Sequence, residues 1–570
     1  MLNKNIENPL AKLLYLGVPL IALLLMAYTN NDPVNAPKAL LLGSISFAAV
    51  SIALRFGFKI LSKENRYVFY TALAFLFFAL FSSFMSDSPI EQTLYGVNGR
   101  NTGLVTYVGL VFILIAASVL RQKISFDKIV FGLLFAGLVN FLYNLVVIFG
   151  TDPIPWTNPY KTILGTFGNP NFVSAFMSIV VSISAAFLFD QKKSLSFRLI
   201  ALVVILISLF EIKKSGSIQG LVASALGMSI VIFFFLKGNI KRKSTSISYL
   251  GCVAIAGALA IAGMLQKGPL ASIIYKRTVS LRGEYWHAGW NMGTSNPWTG
   301  LGLDSFGLWY RRMRNPSALI NPGPEVITNS SHNVYMDIFS GGGFPLFISY
   351  LFITIIVIIS IIKIAYRTEI YDSTFIALAV GWVCYQAQSL ISINQIGLAV
   401  WGWLFGGALV AYEKASKNPS FYSIAVTNKS NSKNWNQKLN RRDASTPANV
   451  TMVGFIGLIA GTIIAAPPAI NDAKYRTALQ TQTLDTIEAA LVTWPKDSYR
   501  LTSGSFLFTQ NKLDDLGYKY AKLSVAYNPD YFDAWRALNI SPLATQSDKK
   551  LAAENLHRLD PMNPAYKLAP

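Results

Sequence analysis

The sequence predicts an all-α fold: a polytopic membrane bundle of about 12–13 transmembrane helices, a large outer loop and a helical-repeat-like soluble tail. Three observations carry this. Of 570 residues, 52% are apolar and only 14% are charged, a balance foreign to soluble domains of this size. Apolar runs of spanning length recur along the chain. Lys and Arg are divided unevenly between alternate loops.

The runs lie near 10–28, 38–55, 67–85, 103–120, 127–149, 171–189, 198–212, 218–236 and 247–265, which makes residues 1–265 transmembrane helices 1–9. The first has no small-residue cleavage site directly after it and reads as a retained anchor. Residues 266–343 form the outer loop, rich in Gly, Pro, Trp and Arg. Spans near 344–364, 373–391 and 396–412 follow as helices 10–12. Residues 413–449, full of Ser, Asn, Lys and Arg, read as a disordered cytoplasmic linker. A last span near 450–468 leads to an outer helical tail over 469–570.

The net charge of +21 is spent on topology, not on nucleic acid. With the N-terminus inside, the cytoplasmic loops collect Arg55, Lys59, Lys63, Arg66, Arg121, Lys123, Lys128, Lys192, Lys193, Arg198, Lys237, Lys241, Arg242, Lys243, Lys363 and Arg367. The short outer loops hold only Lys38, Arg100, Lys161, Lys213 and Lys214. This is the positive-inside bias. The long loop breaks it. Lys267, Lys276, Arg277, Arg282, Arg311, Arg312 and Arg314 outnumber Glu284, Asp304, Glu325 and Asp337 there, leaving +3. An anionic ligand is the expected reason. Cys252 and Cys384 fall within spans and read as small packing residues.

The tail carries Ala526-Tyr527-Asn528-Pro529-Asp530-Tyr531-Phe532-Asp533-Ala534-Trp535 and Leu559-Asp560-Pro561-Met562-Asn563-Pro564. Asn528 lies 32 positions before Asp560 and 35 before Asn563, bracketing the tetratricopeptide period of about 34. Two such repeats do not stand alone, so the tail should dock on something.

Chemistry gathers on the predicted outer face. The chain has three histidines, His287, His332 and His557. His332 ends the longest polar stretch, in Ser331-His332-Asn333-Val334-Tyr335-Met336-Asp337, shortly before the expected re-entry into lipid at Phe344. A titratable imidazole there suggests proton transfer beside the membrane. Lys213, Lys214, Ser215, Gly216, Ser217 and Gln219 separate two spans. Gly165-Thr166-Phe167-Gly168-Asn169-Pro170-Asn171 opens another, where Asn169 and Asn171 also suit helix capping. Tyr95-Gly96-Val97-Asn98-Gly99-Arg100-Asn101 precedes a third. Cations and free helix N-terminal amides together suit a phosphate. Arg282 has an alternative use, a loop ion pair with Glu284 or Asp304.

The loop reads Arg282-x-x-x-Trp286, then Pro297-x-x-Gly300-x-Gly302 with Phe306, then His332-Asn333 with Gly343 eleven positions on. With Gly168-Asn169-Pro170-Asn171, and Tyr95-Gly96 followed by Arg100-Asn101-Thr102-Gly103-Leu104, this resembles the O-antigen ligase and O-antigen polymerase superfamily of bacterial envelope glycosyltransferases. The resemblance runs over roughly residues 90–410 plus the tail.

The resemblance implies metal-independent glycan transfer without a cofactor. The donor would be an undecaprenyl-diphosphate-linked glycan, and the acceptor a hydroxyl on a lipid, glycan or protein, at the outer face of the bacterial cytoplasmic membrane. His332 would be the base and Arg282 the diphosphate clamp. Arg277, which begins an Arg-x-x-x-Leu run ending at Leu281, competes for the clamp. Arg100, Lys213, Lys214, Asn169, Asn171, Gln219 and Asn333 would bind substrate. Many members carry Ser-Arg where this chain has Ser217-Ile218-Gln219, so Lys213 or Lys214 would supply that charge, without the bidentate fork of arginine. Membrane lipid and a protein partner of the tail complete the expected contacts; nucleic acid is not among them. Two other classes compete: a transporter or flippase of lipid-linked saccharide, marked by ionisable residues inside its spans, and a membrane scaffold, which would need neither His332 nor a basic loop.

Overall fold

A computed structural model describes residues 4–240, 243–275, 277–418, 420–423 and 447–566. Every expected span corresponds to a helix. They are α1 (Lys4–Leu23), α2 (Asn35–Lys59), α3 (Arg66–Met85), then a short α4 (Ile90–Tyr95), α5 (Leu104–Ser118), α6 (Lys123–Ile148) and α7 (Pro170–Leu188). α8 (Leu195–Ser215), α9 (Ile218–Asn239) and α10 (Lys243–Met264) follow. The loop holds α11 (Ala271–Ile274), α12 (Arg277–Ser295), α13 (Phe306–Met313) and α14 (Ser317–Ile320). The bundle resumes with α15 (Val334–Arg367), α16 (Ser373–Ser389), α17 (Ile396–Ala415), a short α18 (Ser420–Ser423) and α19 (Pro447–Thr481). Among the described residues, ten helices are long and apolar enough to cross a membrane. The chain is a polytopic helical membrane protein.

Contacts sort the connections into two ends. At one end, Glu7 accepts from the Arg121 and Gln122 amides, Arg121 pairs with Glu64 at 2.9 Å, and Arg367 binds Ser416. At the other, Tyr28 bonds the Pro153 carbonyl, Asn35 the Gly99 carbonyl, and Thr162 the Lys214 carbonyl. Loops of alternate parity thus meet at opposite ends, as alternating spans require. The long loop and the tail lie at the second end, called the loop end below.

Apolar side chains are as comfortable in lipid as in a core, so membrane helices are held by close backbone approach. Gly457-x-x-x-Gly461-x-x-x-Ala465 of α19 lies against Gly43 and Phe47 of α2. A Cβ on Gly461 would meet the Gly43 carbonyl at 2.3 Å. Gly220 and Gly227 of α9 press on Ser174 and Ser182 of α7. α7 and α17 are almost wholly enclosed, whereas α10 is 6% buried and sits at the rim. Cys384 packs inside as expected; Cys252, on α10, is exposed and does not.

Three boundaries move. α15 begins at Val334, not Phe344, because Asn333 caps it, accepting from the Tyr335 and Met336 amides. The expected linker starts later than 413, because α17 runs to Ala415 with Glu413 paired to Arg367, Lys414 and Lys417. Most of that linker, 424–446, lies outside the described residues. α19 runs past 468 to Thr481, so the tail begins as a continuation of the last span. The tail adds α20 (Leu484–Val492), α21 (Ser498–Gln510), α22 (Asp514–Tyr527), α23 (Phe532–Ile540) and α24 (Gln546–Leu559).

The tail does dock. Asp560 is fully buried between Arg314, at 2.8 Å, and Arg311, at 3.0 Å. Asp530 takes Arg312 at 3.1 Å. Trp494 meets Tyr95 edge-on, and Asp472 accepts from the Asp32 amide at 2.8 Å.

Candidate functional site

The site is assembled where the long loop returns to the bundle. A glycine-rich turn fixes that return. Leu301 and Gly302 amides donate to the Ser340 and Gly341 carbonyls at 2.9 Å each, and the Phe344 amide donates to the Pro297 carbonyl at 2.8 Å. This stitching breaks α15 at Gly343, whose φ of 64° and ψ of −167° only glycine adopts readily. A Cβ at Gly343 would meet the Pro297 oxygen at 2.4 Å, and one at Gly300 the Gly341 carbonyl carbon at 2.3 Å. The Pro-x-x-Gly-x-Gly run and the glycine eleven after His332 are therefore two halves of one backbone junction.

His332 sits just ahead of α15 with a φ of 55°. Its amide donates to Ser330 Oγ at 3.0 Å. The Asp337 carboxylate, in the first turn of α15, gathers that turn. Oδ1 accepts from the Ser331 amide and hydroxyl at 2.8 Å each, and Oδ2 from the Ser330 hydroxyl at 2.6 Å. Tyr285 stacks on the imidazole with ring centroids 5.7 Å apart and planes at 29°. Tyr285 lies three residues after Arg282 on α12, so both share a helix face and Arg282 is brought beside His332. Burial first, then Arg282 and Arg100, push the imidazole down to about 4 from an ordinary 6.5, while Asp337 pulls it up. The ring is therefore neutral at pH 7 and able to accept a proton. Burial also lowers Arg282.

Arg282 makes no ion pair among the described residues. Both anions weighed for it are engaged elsewhere. Glu284 accepts from Ser317 Oγ at 2.9 Å, and Asp304 pairs with Arg100 at 3.0 Å. One turn along α12, the buried Trp286 indole N–H also lacks an acceptor among the described residues. Arg277 starts α12, but its side chain lies outside the described residues.

Arg100 donates to the Asn329 carbonyl as well as pairing with Asp304, so it ties the loop after α4 to the segment leading to His332. Asp304 is fully buried and accepts from the Val97 amide at 2.9 Å. Burial raises its carboxyl, opposed by Arg100. Between these groups lies a cleft of about 350 Å³ including its open mouth, lined by Arg100, Tyr107, Asp304, Asp337 and Asn394 among others.

The remaining expected residues form a second group. Asn169 caps α7, accepting from the Asn171 amide at 2.9 Å, and donates to Tyr160. Gln219 donates to the Asn171 carbonyl at 2.8 Å. Lys213 and Lys214 are exposed in the last turn of α8. No hydrogen bond or ion pair among the described residues joins this group to His332. Asn333, beside His332, uses its side-chain oxygen as the α15 cap.

One expectation is corrected. The loop's surplus cations do not all await a ligand, since Arg311, Arg312 and Arg314 are bound by Asp530 and Asp560 of the tail. The spans also hold ionisable groups, each tied structurally. Lys38 donates to the Ala22 and Leu24 carbonyls, and Glu211 accepts from Asn144 at 2.6 Å. Sequence reasoning passed over Tyr285, Asp304 and Asp337 as site residues. Tyr285 could have been found from its helical spacing to Arg282, and Asp337 from its place one turn into a helix behind two serines.

Fold and site together define a multi-pass helical membrane protein with a polar centre at one end of its bundle. Residues 215–351 match the family model described as O-Antigen ligase, which supports a membrane glycosyltransferase-type ligase at family level. The matched stretch contains Gln219, Arg277, Arg282, His332 and Asn333; Arg100, Asn169, Asn171, Lys213 and Lys214 precede it. No curated protein matches the chain.

Proposed function

We propose that this protein transfers a glycan from undecaprenyl diphosphate to an acceptor hydroxyl, on the outer side of a bacterial cytoplasmic membrane. The single observation that carries the reading is the proximity of the buried imidazole of His332 to Arg282, a guanidinium with no ion-pair partner among the described residues. The acceptor oxygen attacks the anomeric carbon. The bond from that carbon to the diphosphate oxygen breaks, and the lipid diphosphate leaves with the electron pair. His332 takes the hydroxyl proton, a contribution typically worth ~10²–10⁴-fold. Arg282, with the Trp286 N–H, stabilises the departing charge. Arg277 and the exposed pair Lys213 and Lys214 would meet the rest of the donor, and Arg100 would organise the cleft.

Each tail pair, α21 with α22 and α23 with α24, reads as a tetratricopeptide-like unit; the pairs begin at Ser498 and Phe532, 34 positions apart. They would offer a surface to a protein partner.

The test is purified protein in bilayers with a lipid-linked oligosaccharide and candidate acceptors, the products weighed by mass spectrometry. Glycan joined to acceptor, with free lipid diphosphate released, is expected. Donor carried across the bilayer unchanged would replace this reading with a flippase.

A further inference from the structure

We propose that Asp337 is a positioning residue for His332, orienting the imidazole through the Ser330-Ser331 turn; this rests on the base reading of His332 above. All three hydrogen bonds to its carboxylate among the described residues come from that turn, and the turn in turn holds the His332 amide through Ser330 Oγ. The need for such a tether is visible in the backbone. His332 has a left-handed φ of 55°, which a residue with a Cβ holds only when its surroundings impose it. Asp337 is well placed to impose it, because it is fixed in the first turn of a capped helix. Tyr285 stacks on one face of the ring. The Asp337 side of this turn also lines the cleft, which His332 itself does not.

The charge matters as well as the bonds. Charged groups acting on the imidazole are Arg282 from α12, Arg100 from the loop after α4, and Asp337 from α15. Asp337 alone favours the protonated ring. Removing its charge leaves both guanidiniums unopposed, so the ring becomes a weaker base. The acid limb of the pH–rate profile then moves to lower pH.

The experiment compares Asp337→Asn, Asp337→Glu, Ser331→Ala and His332→Ala in the transfer assay, with imidazole titration followed by NMR. Three histidines make the His332 signal assignable by its loss in His332→Ala. Asp337→Asn should lower kcat on the order of 10- to 100-fold with the donor KM little changed, as a misplaced base does, and shift the acid limb and the titration downward. Asp337→Glu should restore the limb. Ser331→Ala keeps the carboxylate and should lower kcat with the limb unmoved, which also carries the test if the asparagine variant does not insert. An inactive His332→Ala beside wild-type kcat and acid limb in the Asp337 and Ser331 variants overturns the positioning role alone. A wild-type rate in His332→Ala overturns the base reading itself.

Discussion

The availability of His332, the proposed base, is set by its surroundings. Burial, Arg282 and Arg100 hold it near 4, so the neutral form prevails from pH 7 down to about 5. Lowering the pH over that range should leave transfer almost unchanged on this residue's account. A half-fall near 6.5, the value of a free imidazole, would contradict the environment described. Arg282→Ala should weaken donor binding and slow transfer, because an anion loses a charge-assisted partner worth about 1.5–3 kcal/mol. Arg282→Lys should recover only part, since an ammonium offers no planar fork; full recovery, read from donor affinity, would argue for a simple point charge. Residue types singled out His332 and Arg282, because histidines are few and a basic outer loop is conspicuous in an apolar chain. What Arg100 does was not legible. Its partner Asp304 lies more than 200 positions away, and sequence alone weighed that anion for Arg282 instead.

At the scale of elements, the junction between the glycine turn and α15 decides whether the site exists. Gly343→Ala places a methyl against the Pro297 oxygen in a backbone conformation that costs on the order of 1–3 kcal/mol by itself. It should lower the yield of folded protein and abolish transfer together, measured by size-exclusion profile and assay. A well-folded, fully active Gly343→Ala protein would mean the junction can be rebuilt. Sequence spacing located these glycines and could not say why they recur, since the reason is a contact between backbones over 40 residues apart. The same limit explains the start of α15. Apolar character begins at Phe344, but the helix is set by the Asn333 cap eleven residues earlier.

For the whole molecule, thirteen apolar runs were readable because span length and hydropathy are local properties. Docking of the tail was expected, but the surface it docks on was not readable, because that depends on ion pairs across more than 200 positions. Asp560→Asn leaves two guanidiniums buried with one acceptor weakened, and breaking such a pair costs about 3–5 kcal/mol. The tail should become more sensitive to protease; unchanged cleavage would show that its other contacts suffice. An outer tail is proposed from the charge asymmetry of the loops. With Cys252 and Cys384 replaced, a new cysteine in the tail should react with an impermeant reagent in intact cells, and labelling only after lysis would invert the map. The most direct test of the central claim is the transfer rate of His332→Ala, in proteoliposomes with a lipid-linked oligosaccharide, beside its donor affinity. Transfer abolished with donor binding nearly intact is the predicted result. Wild-type transfer by a normally inserted His332→Ala protein would contradict it.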